Sequence, residues 1–202
     1  MIIPMPPNDI VTHAPTHTPV IGIAGPSCSG KTTIAKMLAN HLGAAIFHYD
    51  SYIKPDAPRV IVNGHPSFDR PDVYDGAKMA GDIFVHMRKF LKTPIIAEGF
   101  LLFTDPLLAA LCDIKIFLSL DKDTILARRR ERREALMLKP DYLSREKPFE
   151  DSFLANGIEE WERFGLPQAS LSGILHFHGN EPPHALIAQI LEKIPHKQGE
   201  TF

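Results

Sequence analysis

Two rhythms of apolar and polar positions run along this chain, and the switches between them predict its elements. Val20-Ile21-Gly22-Ile23-Ala24 is an unbroken apolar run of strand length, and residues 33–42 then carry apolar side chains at helical spacing. Gly43 reads as the helix stop, and Ala44-Ala45-Ile46-Phe47-His48-Tyr49 as a second buried strand that ends at Asp50. Residues 51–72 hold Pro55, Pro58, Pro66, Pro71 and Asn63-Gly64 around the β-branched run Val60-Ile61-Val62, the pattern of a loop-rich insertion with at most a small hairpin. From Tyr74 to Leu91, Met79, Ile83, Phe84, Met87, Phe90 and Leu91 fall at helical spacing and predict a crossover helix. Pro94 to Gly99 reads as a third buried strand, Asp105 as the cap of a short helix through Leu111, and Asp113 to Ser119 as a fourth strand. A helix begins at Asp121, and residues 139–170, with Pro140, Pro148 and Pro167, hold a helical stretch around Gly157 to Phe164 in which Trp161 reads as packing. Gly173 to His178 is a fifth strand, and Pro182 to Ile194 a last helix with Leu186, Ile187, Ile190, Leu191 and Ile194 on its apolar face. Strands alternating with helices predict an α/β fold, a three-layer sandwich on a parallel sheet.

Composition narrows the class. A length of 202 residues suits one domain, at ~100–200 residues per domain. Hydrophobic content of 44% and charged content of 23% are those of a soluble globular protein, and a net charge of −2 supplies no general attraction to nucleic acid or anionic lipid. Cys28 and Cys112 form neither a C-x-x-C pair nor a disulfide framework, which fits a reducing compartment. With no apolar run approaching ~18 residues and no signal-peptide pattern, a cytoplasmic location is expected. Residues 1–18, with Pro4, Pro6, Pro7 and Pro15 and no sustained period, read as a disordered extension in which His13 and His17 are solvated. His176 and His178 read as strand-end residues, since no third ligand is in view.

The chemistry concentrates after the first strand. Gly25-Pro26-Ser27-Cys28-Ser29-Gly30-Lys31-Thr32 fits G-x-x-x-x-G-K-[ST] without a mismatch, between a strand and a helix as a P-loop demands. In that geometry backbone N–H groups and the helix N-terminus surround a polyphosphate, Lys31 reaches the outer phosphates and the Thr32 hydroxyl binds Mg²⁺. Ligands in open parallel sheets gather outside the carboxyl ends of the strands, which makes Asp50 a candidate base or metal partner; position alone suits a helix cap or turn equally well. Glu98 closes an apolar strand in the manner of a Walker B acid, suited to hold Mg²⁺ through water. Arg128-Arg129-Arg130-Glu131-Arg132-Arg133 points to all sides of one helix. Without interleaved aromatics in a slightly acidic chain, it reads as a phosphate lid in preference to a nucleic-acid patch.

With these motifs the chain resembles the nicotinamide riboside kinase and uridine kinase group of P-loop kinases, most closely the nicotinamide riboside kinases. The resemblance spans residues 20–194. It rests on Gly25 to Thr33, on Asp50-Ser-Tyr-Ile-Lys-Pro55, on Phe68-Asp69, on Ile95 to Phe103 and on Arg128 to Arg130. It implies a three-layer P-loop kinase fold with a five-stranded parallel sheet in order 2-3-1-4-5. The single domain would cover residues 19–202, with a nucleoside-binding insertion at about 51–74 and a lid at about 128–150. It further implies that Asp50 is the catalytic carboxylate alongside Lys31, and that Thr32, Asp50 and Glu98 serve Mg²⁺. Gly25, Pro26, Ser27, Cys28, Ser29, Gly30, Lys31, Thr32 and Thr33 would hold ATP together with Arg129, Arg133 and, at the adenine edge, Glu181, Pro182 and Pro183. Phe68, Asp69 and Arg130 would meet the substrate. The segment after Arg133 lacks the family's outer aromatic residue, which leaves Tyr142 or Phe149 to close the ring site.

The implied activity is ATP- and Mg²⁺-dependent phosphorylation of a nucleoside 5′-hydroxyl, with nicotinamide riboside giving its mononucleotide. The alternative is a uridine or cytidine kinase or another small-molecule kinase. A nucleic-acid-associated ATPase ranks below both, and a GTPase switch is disfavoured because the chain has no Asn-Lys-x-Asp. The expected partners are small molecules alone, with neither nucleic acid nor membrane, and the chain is expected as a monomer or homodimer.

Overall fold

The computed structural model describes residues 18–194; the expected extension, apart from Thr18, lies outside the described residues with His13 and His17, as do residues 195–202. In chain order the elements are β1 (Val20–Ala24), α1 (Lys31–Leu42), β2 (Ala45–His48), β3 (Ile61–Val62), β4 (His65–Pro66), α2 (Gly76–Lys89), β5 (Ile95–Gly99), α3 (Pro106–Leu111), β6 (Ile114–Ser119), α4 (Lys122–Met137), α5 (Lys147–Ser152), α6 (Ile158–Glu160), β7 (Ile174–His178) and α7 (Pro183–Lys193).

The main sheet runs β2-β5-β1-β6-β7 with every pair parallel, so its strands alone follow the expected order 2-3-1-4-5. Central strands β1 and β5 are buried along their whole length, which is why they read as unbroken apolar runs. On one face Ile21 and Ile23 pack with Ile34 and Leu38 of α1 and with Leu186 and Ile190 of α7. On the other, Val20 and Ala24 join Met79 and Ile83 of α2, Leu108 of α3 and Phe103. Each of these side chains except Ala24 contributes about 1.5–3 kcal/mol by burial, enough to fix which face each helix covers. Carboxylate caps start the helices where the sequence places them: Asp75 accepts from the Lys78 N–H, Asp105 from those of Leu107 and Leu108, and Asp121 from that of Thr124. Because the strands are parallel, all five deliver their following loops to one edge of the sheet.

Three local differences from expectation have physical causes. In α2 only Met79 and Ile83 among the six apolar positions are fully buried, while Phe84, Phe90 and Leu91 are exposed. Phe84 stands one residue, about 100° of helix, off the buried stripe, and the last two lie past the helix end. Residues 142–170 form helical turns almost without a break, several of them wide π turns, instead of one short stretch. Pro148 and Pro167 sit in first turns of those pieces, where no N–H is needed. Finally, β2 ends at His48, and Asp50 occupies a single 3₁₀ turn, Tyr49–Ser51, just beyond it. Trp161 is packing as expected, its ring 5.1 Å from Phe100 and 5.8 Å from Phe117. Among the described residues no helix is long and apolar enough to cross a membrane.

Candidate functional site

The loop between β1 and α1 turns through backbone conformations that only its sequence tolerates. Gly25 has φ 150°, and a Cβ there would stand 2.4 Å from the Leu118 carbonyl; Gly30, at φ 90°, caps α1. Lys31 is buried and donates from Nζ to the Pro26 carbonyl at 2.9 Å, so its ammonium is folded back over the loop. Burial lowers its pKa below the usual 10.5, with Asp50 and Glu98 acting in the opposite direction. The Ser29 hydroxyl, also buried, has no hydrogen-bond partner among the described residues.

Two carboxylates arrive from neighbouring strands. Glu98 of β5 lies in register with Ile23 of β1 and His48 of β2. Its Oε1 accepts from the Thr32 hydroxyl at 3.0 Å and sits 2.6 Å from His48 Nδ1, while Oε2 is buried without a partner among the described residues. An unsatisfied carboxylate oxygen beside a P-loop hydroxyl is a hard oxygen donor set, and it fits Mg²⁺. Among the described residues no group of three or more His, Cys, Asp or Glu side chains gathers to hold a metal by itself. Asp50 faces the same space. It keeps an exposed surface because a cavity opens on it, yet the protein packed around that cavity desolvates its carboxyl and raises the pKa. Glu98 adds to the rise, and Lys31, the Phe100 N–H and His48 oppose it.

The cavity measures about 500 Å³ and runs from the cradle to the insertion. Ser27, Cys28, Gly30, Lys31, Thr32 and Thr33 line one part, and Asp50, Ile53, Phe68, Asp69, Tyr74 and Phe100 another. The structure thus brings Lys31, Thr32, Asp50, Phe68 and Asp69 together, with Glu98 behind Thr32. Phe149 from the helical segment 142–170 meets Phe68 with ring centroids 4.4 Å apart. That spacing leaves no gap for a third ring between them; the two form one aromatic wall. Tyr142 is buried and turns its hydroxyl to Arg133 instead.

The arginines divide by helical face. Arg129 and Arg132, three residues apart, line the cavity, whereas Arg130 is exposed and Arg133 pairs with Tyr142 and Asp151; neither of these two lines it. Arg128 ties the cradle to the turn after β7, donating to the carbonyls of Cys28 at 3.1 Å and Gly179 at 3.0 Å. That turn leads into Glu181, Pro182 and Pro183, none of which lines the cavity. Sequence reasoning missed Arg132, for which the i, i+3 spacing from Arg129 was the available signal. It also missed Glu146, Glu150, Ser152 and Phe153, which line the cavity from the helical cover and which no local pattern marks. Gln168 was missed as well: it is buried, accepts from the Phe103 N–H and donates to the Phe100 carbonyl, fixing the loop that follows β5.

No family model matches the chain. Uridine kinase-like protein 3 of Arabidopsis thaliana is 28% identical over 215 aligned positions, covering 90% of this chain and 43% of that protein. The uridine kinase of Bacillus mycoides (strain KBAB4) is 35% identical over 144 positions, 58% of this chain and 68% of that enzyme, and the uridine kinase of Mycoplasma pneumoniae is 32% identical over 144 positions, 56% and 66%. The chain therefore spans less than half of the plant relative and about two thirds of the bacterial ones. In fold it is similar to the unliganded crystal structure of a sugar kinase from Janibacter sp. HTCC2649, with a TM-score of 0.52, 18% identity, and coverage of 87% of this chain and 93% of that one. On its P-loop, its sheet order and the extent of its likeness to the Bacillus enzyme, the chain belongs to the uridine kinase family of P-loop kinases.

Proposed function

We propose that this protein transfers the γ-phosphoryl group of ATP to the 5′-hydroxyl of a nucleoside. The observation that carries the reading is the shared cavity: a phosphate cradle with Lys31, a carboxylate at Asp50, and an acid beside an aromatic ring at Phe68-Asp69 all border one space of about 500 Å³. A volume of that order suits a small molecule, for which sites of about 300–1,000 Å³ are usual. Phosphoryl transfer passes through a loose transition state, so alignment and charge neutralisation dominate. Lys31, Arg129 and Arg132 supply positive charge along the cavity. Asp50 orients the hydroxyl and accepts its proton as the new P–O bond forms, and its raised basicity favours that step. Thr32 and Glu98, with Asp50 nearby, would hold Mg²⁺, which when bound would supply charge neutralisation to the phosphates. In this reading Glu181, Pro182 and Pro183, which follow the Gly179 turn, would edge the adenine, and Asp69, which lines the cavity, would accept from ribose hydroxyls.

For the base, the names of the relatives support uridine. Nicotinamide riboside keeps one specific support, the Phe68–Phe149 wall, since a cationic ring gains roughly 0.5–2 kcal/mol on an aromatic face and asks for few edge partners. A coupled ADP-release assay over uridine, cytidine, nicotinamide riboside, pantothenate and sugars tests both. Turnover confined to nucleosides supports the proposal, their ranking selects the base, and turnover of a non-nucleoside alone refutes it.

A further inference from the structure

The segment that carries Phe68 and Asp69 is gripped from the helical cover. Asn63 Nδ2 donates to Asn156 Oδ1 at 2.9 Å, and Asn156 Nδ2 donates back to the Val62 carbonyl at 3.0 Å. Ser67, 3% exposed, donates its hydroxyl to Glu160 Oε1. Glu160 is itself 6% exposed, and its Oε2 has no hydrogen-bond partner among the described residues. A buried carboxylate left half-satisfied is costly, and this one holds Ser67, the residue before the cavity-lining pair Phe68 and Asp69.

We infer that Glu160 is a positioning residue for the nucleoside: its hydrogen bond to Ser67 fixes where Phe68 and Asp69 stand, and its charge acts on the carboxyl that accepts ribose hydroxyls. The inference rests on the nucleoside reading above. Charges reach Asp69 from four sides. Glu160 in the cover and Asp50 after β2 disfavour its ionisation; Arg129 of α4 and Lys31 of α1 favour it. Arg132, Glu146 and Glu150 line the same cavity, and Arg70 and Tyr74 feel Glu160 as well. Desolvation first and Glu160 second bring the Asp69 carboxyl up to about 7. An ionised carboxylate accepts from two hydroxyls, whereas a protonated one gives up part of that capacity. Nucleoside affinity therefore falls as Asp69 gains its proton, and loss of the Glu160 charge moves that point to lower pH.

The test is the pH dependence of nucleoside KM at saturating ATP, paired with a ¹³C NMR titration of the Asp69 carboxyl in the free protein, for wild type, Glu160→Gln and Ser67→Ala. Glutamine keeps an oxygen for Ser67 and drops the charge; Ser67→Ala drops the grip. Wild-type KM is expected to rise up to about 10-fold per pH unit on the acid side of a midpoint near 7. In Glu160→Gln both midpoints fall, with kcat moving less than KM. In Ser67→Ala KM rises at every pH. Identical carboxyl midpoints in wild type and Glu160→Gln overturn the electrostatic role. A wild-type KM that is flat from about pH 5.5 to 8.5 overturns the inference without any variant. A shifted carboxyl midpoint in a protein that phosphorylates no nucleoside overturns the nucleoside reading, and the positioning role with it, while leaving the Asp69–Glu160 coupling in place.

Discussion

The Arg129 guanidinium clasps the Glu150 carboxylate through two parallel contacts, Nε to Oε2 at 3.0 Å and Nη2 to Oε1 at 2.9 Å, and lays its remaining nitrogen on the Ser27 hydroxyl at 2.8 Å. Phe153 stacks against the same guanidinium at 4.2 Å, and both charged partners are buried. One arginine of α4 thus joins the helical cover to the phosphate cradle. Breaking such a pair by removing one partner leaves a buried charge uncompensated, which costs about 3–5 kcal/mol. Glu150→Ala is expected to lose stability near the lower figure, because the open cavity lets water reach Arg129. ATP with Mg²⁺ should restore part of the loss by giving the freed guanidinium a phosphate partner. Urea unfolding with and without the nucleotide checks this, and a Glu150→Ala protein as stable as wild type contradicts it.

Gly99 sets the position of Asp50 from a distance. A Cβ on Gly99 would stand 2.5 Å from the Cβ of Tyr49, which is 1% exposed and immediately precedes Asp50. Gly99→Ala must therefore displace Tyr49 and the turn that carries the carboxylate. Overpacking of this kind costs about 1–3 kcal/mol of stability, whereas a shift of ~1 Å in a reacting group can cost about 10²-fold in rate. We expect a folded protein whose kcat has dropped out of proportion to its melting point. A full kcat with a lowered melting point would show that the Asp50 turn is independent of Gly99.

Asp69 trades stability for its place in the cavity. Its carboxyl titrates at about 7 in the folded state against an ordinary value of 3.8. Between those values the folded chain holds a proton that the unfolded chain has lost, so this group's contribution grows more destabilising as pH rises from about 4 to 7 and is constant above. Asp69→Asn should accordingly melt higher than wild type at pH 8, by about 2–4 °C for each kcal/mol of relieved strain, with the advantage shrinking toward pH 4. The same variant should raise nucleoside KM. Paired thermal scans at the two pH values measure it; an Asn variant that melts below wild type at pH 8 contradicts the account.

The sheet and the cradle were legible in the sequence because both are written locally. Val20 to Ala24 and Ile95 to Gly99 are covered on both faces and so read as continuous apolar runs, and the glycine loop is a contiguous motif. The helical cover was not, because π turns such as Phe153–Gly157 and Trp161–Gly165 widen the repeat and take apolar positions out of the 3.6-residue rhythm. Glu160 and Gln168 were invisible for another reason: their partners Ser67 and Phe103 are 93 and 65 residues away in the chain. The arginine run was recognised as a unit, but which members face the cavity depends on how α4 is rotated. Arg129 and Arg132 share one face, and Arg130 and Arg133 do not reach it.

The most direct measurement is single-turnover phosphorylation of uridine, cytidine and nicotinamide riboside by wild type, Lys31→Ala, Asp50→Asn and Asp69→Asn, with folding of each confirmed by circular dichroism. The account predicts a 5′-monophosphate product from at least one nucleoside. It predicts loss of the chemical step in Lys31→Ala by at least ~3 kcal/mol, a strong fall in kcat with modest change in nucleoside affinity for Asp50→Asn, and a rise mainly in KM for Asp69→Asn. No nucleoside phosphorylated by the folded wild type, or undiminished phosphoryl transfer in folded Asp50→Asn, would contradict it.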